Sequence, residues 1–402
     1  MLRESPLRKH LAGWPRRRVP DPQAATHRPG AAQGSQAEPP EIVYLDYAAA
    51  GDVPTVGCEL VATFGDLESE YAAVRRGAGL LDSPHRATIL ITGADRKDFL
   101  NRMLTQELKN LHAGDVYRSF WLNRRGRIVA DLLLAELGDR VLVDVDIHGA
   151  QEAVASLNEF VVVEDVEISD AGDSLHHVAV HGPKAPDVIA AATGTPSLPD
   201  AGACELLIGG VQVIAIRVNQ TGVAGYELIM PRREAEAVWE ALLVAGEAIG
   251  PTRRVRPVGW HAFNIARIEA GTPLYNIDFG PRNLPHESGV IGDRVSFTKG
   301  CYLGQEIVAR TENLGRPKQQ LVGLRPVRDL LPEAGTEVLA DGKPVGVVTS
   351  STLSPMLGSA PIAFAMIKTG HDALGSTVQL EAEGEQTEAV VGALQFYEVP
   401  AP

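Results

Sequence analysis

Cysteine is scarce: the 402-residue chain has three, Cys58, Cys204 and Cys301, with no Cys-x-x-Cys pair. An odd, scattered set builds no disulfide framework and points to a reducing compartment, so the expected location is cytoplasmic. One chain also cannot supply the four thiolates of a typical iron–sulfur cluster or of an all-cysteine zinc site. Aromatics are only 5 % of residues, too few for a base-stacking platform. Basic side chains number 37 against 51 acidic, a net charge of −14, which polyphosphate backbones repel. No run of about 18 apolar residues exists to span a membrane. Neither a nucleic acid nor a membrane is therefore an expected partner. The His-Glu-x-x-His, P-loop and Gly-x-Ser-x-Gly motifs are absent, which removes the commonest zinc protease, NTPase and serine hydrolase readings.

What the chain does have is an ordinary globular balance, 45 % hydrophobic and 22 % charged. Residues 1–41 stand apart. The first forty hold seven prolines and seven basic residues and lack apolar periodicity, which predicts a disordered tail. A targeting signal or an early start codon are the competing explanations. The run Arg16-Arg17-Arg18 falls in this tail and carries little specificity.

From Ile42 the pattern is mixed. Leu67, Tyr71 and Val74, followed by Gly77, predict a helix over 66–76. Strands are expected at 88–92, 116–122, 127–134, 141–146, 161–168, 176–181, 211–218 and 226–230, with helices after Asp95 and at 150–159, 184–192 and 233–248. Pro257 suits the first turn of a helix running to Ala270. A short helix is expected from Leu303. There is no regular βαβ rhythm, so the fold class is α+β. Beyond Arg316-Pro317 only short strands follow, which predicts a small antiparallel barrel or sandwich over 316–402 and leaves 42–315 as one module.

The most informative stretch is Lys299-Gly300-Cys301-Tyr302-Leu303-Gly304-Gln305-Glu306. A cysteine in the first turn of a helix, beside a lysine, would gain thiolate character from the helix dipole and the ammonium. A buried, inert cysteine is the competing reading. His261 and His286 have no partners at metal-ligand spacing and read as structural or surface residues.

These eight residues resemble the K-G-C-Y-x-G-Q-E signature of the YgfZ branch of the GcvT-like, folate-binding superfamily. Further stretches are similar to that superfamily: Glu70 to Arg75 with Gly79 to Asp82, Gly93 to Asn101, Asn123 to Asp131, Gly222 to Glu227, Arg267 to Gly271, and Val345 to Pro355. The resemblance implies a three-domain cloverleaf of two α+β subdomains and a C-terminal antiparallel β-barrel around a central channel. It implies tetrahydrofolate as the cofactor and a role assisting iron–sulfur enzymes, with client or assembly proteins and a folate-type small molecule as partners. The superfamily's glycine-cleavage T-protein implies the alternative, a tetrahydrofolate-dependent aminomethyl or methyl transferase. A folate sensor without turnover is a third reading.

Two departures weaken the transferase reading. The T-protein's paired aspartates are Ala130-Asp131 here, and Val223-Ala224 replace the two acids inside its T-G-E-D-G-x-E motif. The expected catalytic set is Cys301, Lys299 and Asp131. The expected cofactor contacts are Asn123, Tyr226, Glu227, Arg267, Glu269, Gln305 and Glu306. Each has a plainer reading too: Asn123 as a turn residue, Tyr226 as packing, Asp131 and Glu227 as strand acids, Arg267 and Glu269 as solvated charges, Gln305 and Glu306 as first-turn helix residues.

Overall fold

The computed structural model describes residues 2–14, 41–47, 57–195, 197–199, 201–248 and 255–397. Two sheets form the frame. The five-stranded sheet runs in the order Val116–Leu122, Ile128–Glu136, Val141–Asp146, Arg86–Thr92, Glu167–Asp170, all antiparallel. The six-stranded sheet runs Ala203–Ile208, Val211–Val218, Gly225–Pro231, Leu175–His181, Ala78–Asp82, Val255–Pro257. A three-stranded sheet, Leu2–Arg3, Gly57–Thr63 and Val43–Tyr47, lies beside them. The last six strands, from Gln319–Pro326 to Glu385–Gly392, close into an antiparallel barrel. The α+β class and the barrel follow the alternation of apolar residues, for closing the sheet removes its free edges.

Each sheet buries its outer face under helices. Ala185–Thr193 and Ala235–Ala248 cover the six-stranded sheet over Val178, Val213, Leu228 and Trp239. Arg96–Met103 and Ile147–Asn158 cover the five-stranded sheet over Ile89, Phe99, Trp121 and Val143. Strand alternation turns every second residue to the opposite face. There Leu133, Leu142, Ile216, Val218 and Ile229 pack the two sheets against each other. A further cluster of Phe120, Leu122, Ile268, Phe279, Phe364 and Phe396 joins the sheets to the barrel.

The structure corrects four expectations. Residues 2–14 are folded: Leu2–Arg3 pairs with Gly57 and Cys58, and the helix Arg8–Ala12 follows. Leu7 and Leu11, one helical turn apart, are fully buried in the core of the six-stranded sheet. Composition averaged over forty residues hides that local pair, and residues 15–40 lie outside the described residues. The expected strand 161–168 is only Glu167–Asp170. The Glu164 carboxylate accepts the amides of Val162 and Val163, both at 3.1 Å, and bends them outward to 80 % and 90 % exposure. Local side-chain hydrogen bonding has outcompeted β propensity there. Pro257 ends a strand parallel to Ala78–Leu80, and the helix begins later, at Trp260. The last helix starts at Gln305, not Leu303.

Candidate functional site

Polar residues replace the apolar ones at one end of the seam between the two sheets. The strand Val141–Asp146 carries Asp144 and Asp146 on the seam face, across from Thr88 and Arg86. Arg86 donates to Asp144 at 2.8 Å. Asp146 accepts from Tyr47 at 2.5 Å and from Asn276 at 2.8 Å. From the facing sheet come His177, 2.7 Å from the Thr88 hydroxyl, and Glu227. Glu227 is 2 % exposed and one carboxyl oxygen has no hydrogen-bond partner among the described residues. Burial, then the nearby charge of Asp144, pushes its pKa up to about 8, so the carboxyl holds its proton at neutral pH. Burial followed by the Arg86 charge holds His85 and His177 well below the usual imidazole range, and both are neutral.

Tyr47, His85, Arg86, Asp146 and Glu227, with Ser83, Gln220, Phe263 and Tyr275, enclose a cavity of about 20 Å³. That volume admits roughly one water molecule. A pterin ring does not fit it, so this arrangement gives Glu227 no room for a folate head. The expected contact at Glu227 is therefore placed in a closed chamber.

A second space is large. A groove of about 1630 Å³ runs between the first strand of the five-stranded sheet and the helix Ala185–Thr193. Val116, Leu133, Val218 and Tyr226 give it an apolar floor; Tyr117, Arg118, Arg217, Asp293 and the turn Gly222-Val223-Ala224 border it. Asp131 lies two residues from Leu133, on the same strand face. Arg294 grips both oxygens of Asp131, at 2.8 and 3.2 Å, and also pairs with Asp293 at 2.5 Å. The pair is largely withdrawn from water and well formed, the geometry in which a charge-assisted fork is strong. Ligand pockets usually measure roughly 300–1,000 Å³. The groove is thus larger than an ordinary ligand pocket and carries both aromatic and cationic side chains on its lining.

The cysteine motif lies elsewhere. Cys301 is exposed in a turn four residues before the helix Gln305–Leu314, so it does not occupy the first helical turn. Lys299 does not face the thiol. Its ammonium is buried and donates to the carbonyls of Asn101, Leu104 and Gln106 at 2.6, 2.7 and 2.7 Å. Burial pushes its pKa down to about 8. Lys299 is thus a tie to the loop after Arg96–Met103, which corrects the expectation of a thiolate-stabilising ammonium. The motif's glycine has a steric reason: Gly304 has φ +82°, and a Cβ there would sit 2.9 Å from the Asn123 carbonyl. Gln305 and Glu306 take the first helical turn, Glu306 exposed, and border neither the chamber nor the groove. Asn123 folds its own turn, accepting from the amides of Arg125 and Arg127 at 2.9 and 3.1 Å.

Arg267 and Glu269 are neither solvated nor channel-lining. Arg267 is fully buried and donates to Asp278 at 2.6 Å, Ser350 at 2.7 Å and Asn264 at 2.8 Å. Glu269 accepts from Tyr71 at 2.7 Å and Ser354 at 2.5 Å, and pairs with Arg75. Both fasten the first module to the barrel, through Ser350 and Ser354. Two residues apart on a helix they point different ways, yet both directions are interior.

Of the expected site residues, the structure thus brings Tyr226 to the groove with Asp131 two residues from its lining, puts Glu227 in the chamber, gives Asn123, Lys299, Arg267 and Glu269 structural posts, and leaves Cys301, Gln305 and Glu306 in and after the exposed turn. The residues the sequence reading missed are Arg118, Asp144 and Asp146. The last two had a signal, acids at every second position of an otherwise apolar strand, Val-Leu-Val-Asp-Val-Asp. The groove's cation had none.

A frame of two α+β sheets with a following barrel, joined by buried Arg and Glu clasps, is the architecture of a known class. Residues 46–299 match the GCVT N-terminal domain, and residues 319–398 match the glycine cleavage T-protein C-terminal barrel domain. The chain belongs to this GcvT family. Among its relatives, the aminomethyltransferase of Caldanaerobacter subterraneus subsp. tengcongensis is 29 % identical over 351 residues, 85 % of this chain and 90 % of that protein. The aminomethyltransferase of Geobacillus sp. (strain WCH70) is 31 % identical over 350 residues, 85 % and 93 % of the two chains. The crystal structure of the glycine cleavage system aminomethyltransferase T from Bartonella henselae superposes with a TM-score of 0.76 at 27 % identity, covering 87 % of this chain and 94 % of that one. These relatives carry the aminomethyltransferase name, not that of the YgfZ branch. No helix among the described residues is long and apolar enough to cross a membrane.

Proposed function

We propose that this protein binds a tetrahydrofolate in the groove between its two α+β units and acts there as a one-carbon, aminomethyl-type transferase. The observation that carries the reading is the groove itself: about 1630 Å³, floored by apolar side chains and adjoining the Asp131–Arg294 pair. Tyr117 and Tyr226 are the aromatic side chains on its lining. Bound tetrahydrofolate supplies the amines that accept a one-carbon unit. Asp131, oriented by Arg294, is the carboxylate beside the groove able to hold an ammonium or accept a proton at Oδ1 or Oδ2. The family relatives named aminomethyltransferase support the same choice.

The test is formation of 5,10-methylenetetrahydrofolate from tetrahydrofolate and an aminomethylated lipoyl carrier protein. Turnover that falls at least tenfold in Asp131→Asn supports the reading; no product above a protein-free control overturns it.

A second reading rests on the exposed Cys301 thiol in its Lys-Gly-Cys-Tyr-Leu-Gly-Gln-Glu turn, which resembles the YgfZ signature. In it the protein assists iron–sulfur enzymes and their assembly partners through that thiol. Deleting the gene and restoring wild type or Cys301→Ala separates the two: only this second reading expects client iron–sulfur activities to depend on the thiol.

A further inference from the structure

One cation on the groove floor lacks a partner. Arg118 lies on the strand Val116–Leu122, opposite Leu133, and both residues line the groove. Its guanidinium makes no hydrogen bond or ion pair among the described residues, and no nitrogen of it is sealed from the open space. The other arginines in the area are committed. Arg294 is spent on Asp131 and Asp293. Arg75 donates to the carbonyls of Thr221 at 2.6 Å and Ala266 at 3.1 Å, and pairs with Glu269.

The groups facing Arg118 come from several elements: Arg294, which repels it, and Asp131, Asp293 and Asp144, which attract it from beyond bonding distance. Each of those aspartates is already engaged, the first two by Arg294 and the third by Arg86. Burial and Arg294 both lower the Arg118 pKa, so the site gains from any anion that reaches it. A partly desolvated guanidinium with five unclaimed donors in a planar fork matches a carboxylate in shape and charge. Three carboxylates close by disfavour a dianion such as a phosphate monoester. Val116, two residues along the same strand, and Leu133 opposite put apolar side chains beside this cation on the groove lining.

We propose that Arg118 is the anchor for a carboxylate at the inner end of the groove, so that the groove selects ligands with an apolar or aromatic body ending in a carboxylate. The ligand's identity as a folate rests on the function proposed above; the anchor itself rests on Arg118. For a folate it places an acidic tail carboxylate, not the pterin ring, beside Arg118.

Calorimetry on the full chain with three probes tests this: (6S)-tetrahydrofolate, p-aminobenzoyl-L-glutamate, and 6-methyltetrahydropterin, which lacks a carboxylate. Arg118 is partly exposed, so Arg118→Gln is expected to fold, with an unchanged melting temperature as the check. Binding of p-aminobenzoyl-L-glutamate is expected to weaken at least tenfold in Arg118→Gln, to recover in part in Arg118→Lys, and to fall with added salt. Any affinity for 6-methyltetrahydropterin should stay the same in all three proteins. If p-aminobenzoyl-L-glutamate does not bind wild type, or binds Arg118→Gln equally well, the anchor is wrong. If phenyl phosphate displaces it as readily as benzoate does, the carboxylate preference is wrong. If p-aminobenzoyl-L-glutamate binds through Arg118 while tetrahydrofolate does not bind, the anchor stands and the folate reading falls.

Discussion

The cysteine turn and the inter-sheet seam are opposites. The turn is eight consecutive residues, exposed at Cys301, whose lysine and glycine are accounted for by packing: Lys299 caps three carbonyls and Gly304 clears the Asn123 carbonyl. The seam gathers single residues from strands far apart in the chain, Arg86, Asp144 and Glu227 among them, and leaves one oxygen each of Asp144 and Glu227 without a hydrogen-bond partner among the described residues. Unsatisfied buried polar groups are costly, so a fold retains them where something else uses them. Visibility in a sequence and chemical readiness in a structure therefore belong to different parts of this protein.

The largest expected effect lies in neither region but in the clasp that holds both in place. Arg267→Ala leaves Asp278 buried without its cation and should cost about 3–5 kcal/mol. A urea melt checks it; a loss below about 1 kcal/mol would show that the Ser350 and Thr349 hydroxyls suffice to hold Asp278.

Next comes the seam's pH signature. Glu227 has its folded pKa raised above the unfolded value, so the native state binds more protons than the unfolded one between about pH 4.5 and 8. Its protonated carboxyl contributes stability in full below that window, and the contribution fades as pH rises through about 8. Glu227→Gln, neutral throughout, should remove this slope and be more stable than wild type by about 1–3 kcal/mol above pH 8. Parallel stability–pH curves for the two proteins would show Glu227 to be ionised already.

In the turn, Gly304→Ala should cost about 1–3 kcal/mol, because its left-handed backbone and the Asn123 carbonyl both resist a Cβ. The same unfolding assay reads it. The smallest effect belongs to the motif's most conspicuous residue. Cys301→Ser should change stability by less than about 0.5 kcal/mol, as for an exposed side chain without packing partners. Brief maleimide labelling of the native protein followed by peptide mapping should find Cys301 modified and the buried Cys58 protected.

Much of the frame was legible because it rests on local period. The helix Leu67–Arg76, the hairpin around Asn123 and the barrel strands follow apolar spacing and turn chemistry. The failures also have local causes. Val161-Val162-Val163 reads as strand until Glu164 takes its amides, and Leu7 with Leu11 is too short a signal among prolines and arginines. The site was less legible. Arg267 and Glu269 were expected as cofactor contacts or solvated charges, and nothing in their spacing reveals that Ser350 and Ser354, far along the chain, meet them in the interior. Arg118 could not be found at all: an arginine near a strand start looks ordinary until the facing helix Ala185–Thr193 closes a groove over it.

The most direct measurement is calorimetric binding of (6S)-tetrahydrofolate to three forms of the full chain: wild type, Cys301→Ala, and Ala224→Trp, which fills the exposed lip of the groove. The account predicts saturable binding that is the same in Cys301→Ala and at least tenfold weaker in Ala224→Trp. Binding lost with the thiol and kept with the blocked groove would contradict it and move the functional centre to the cysteine turn.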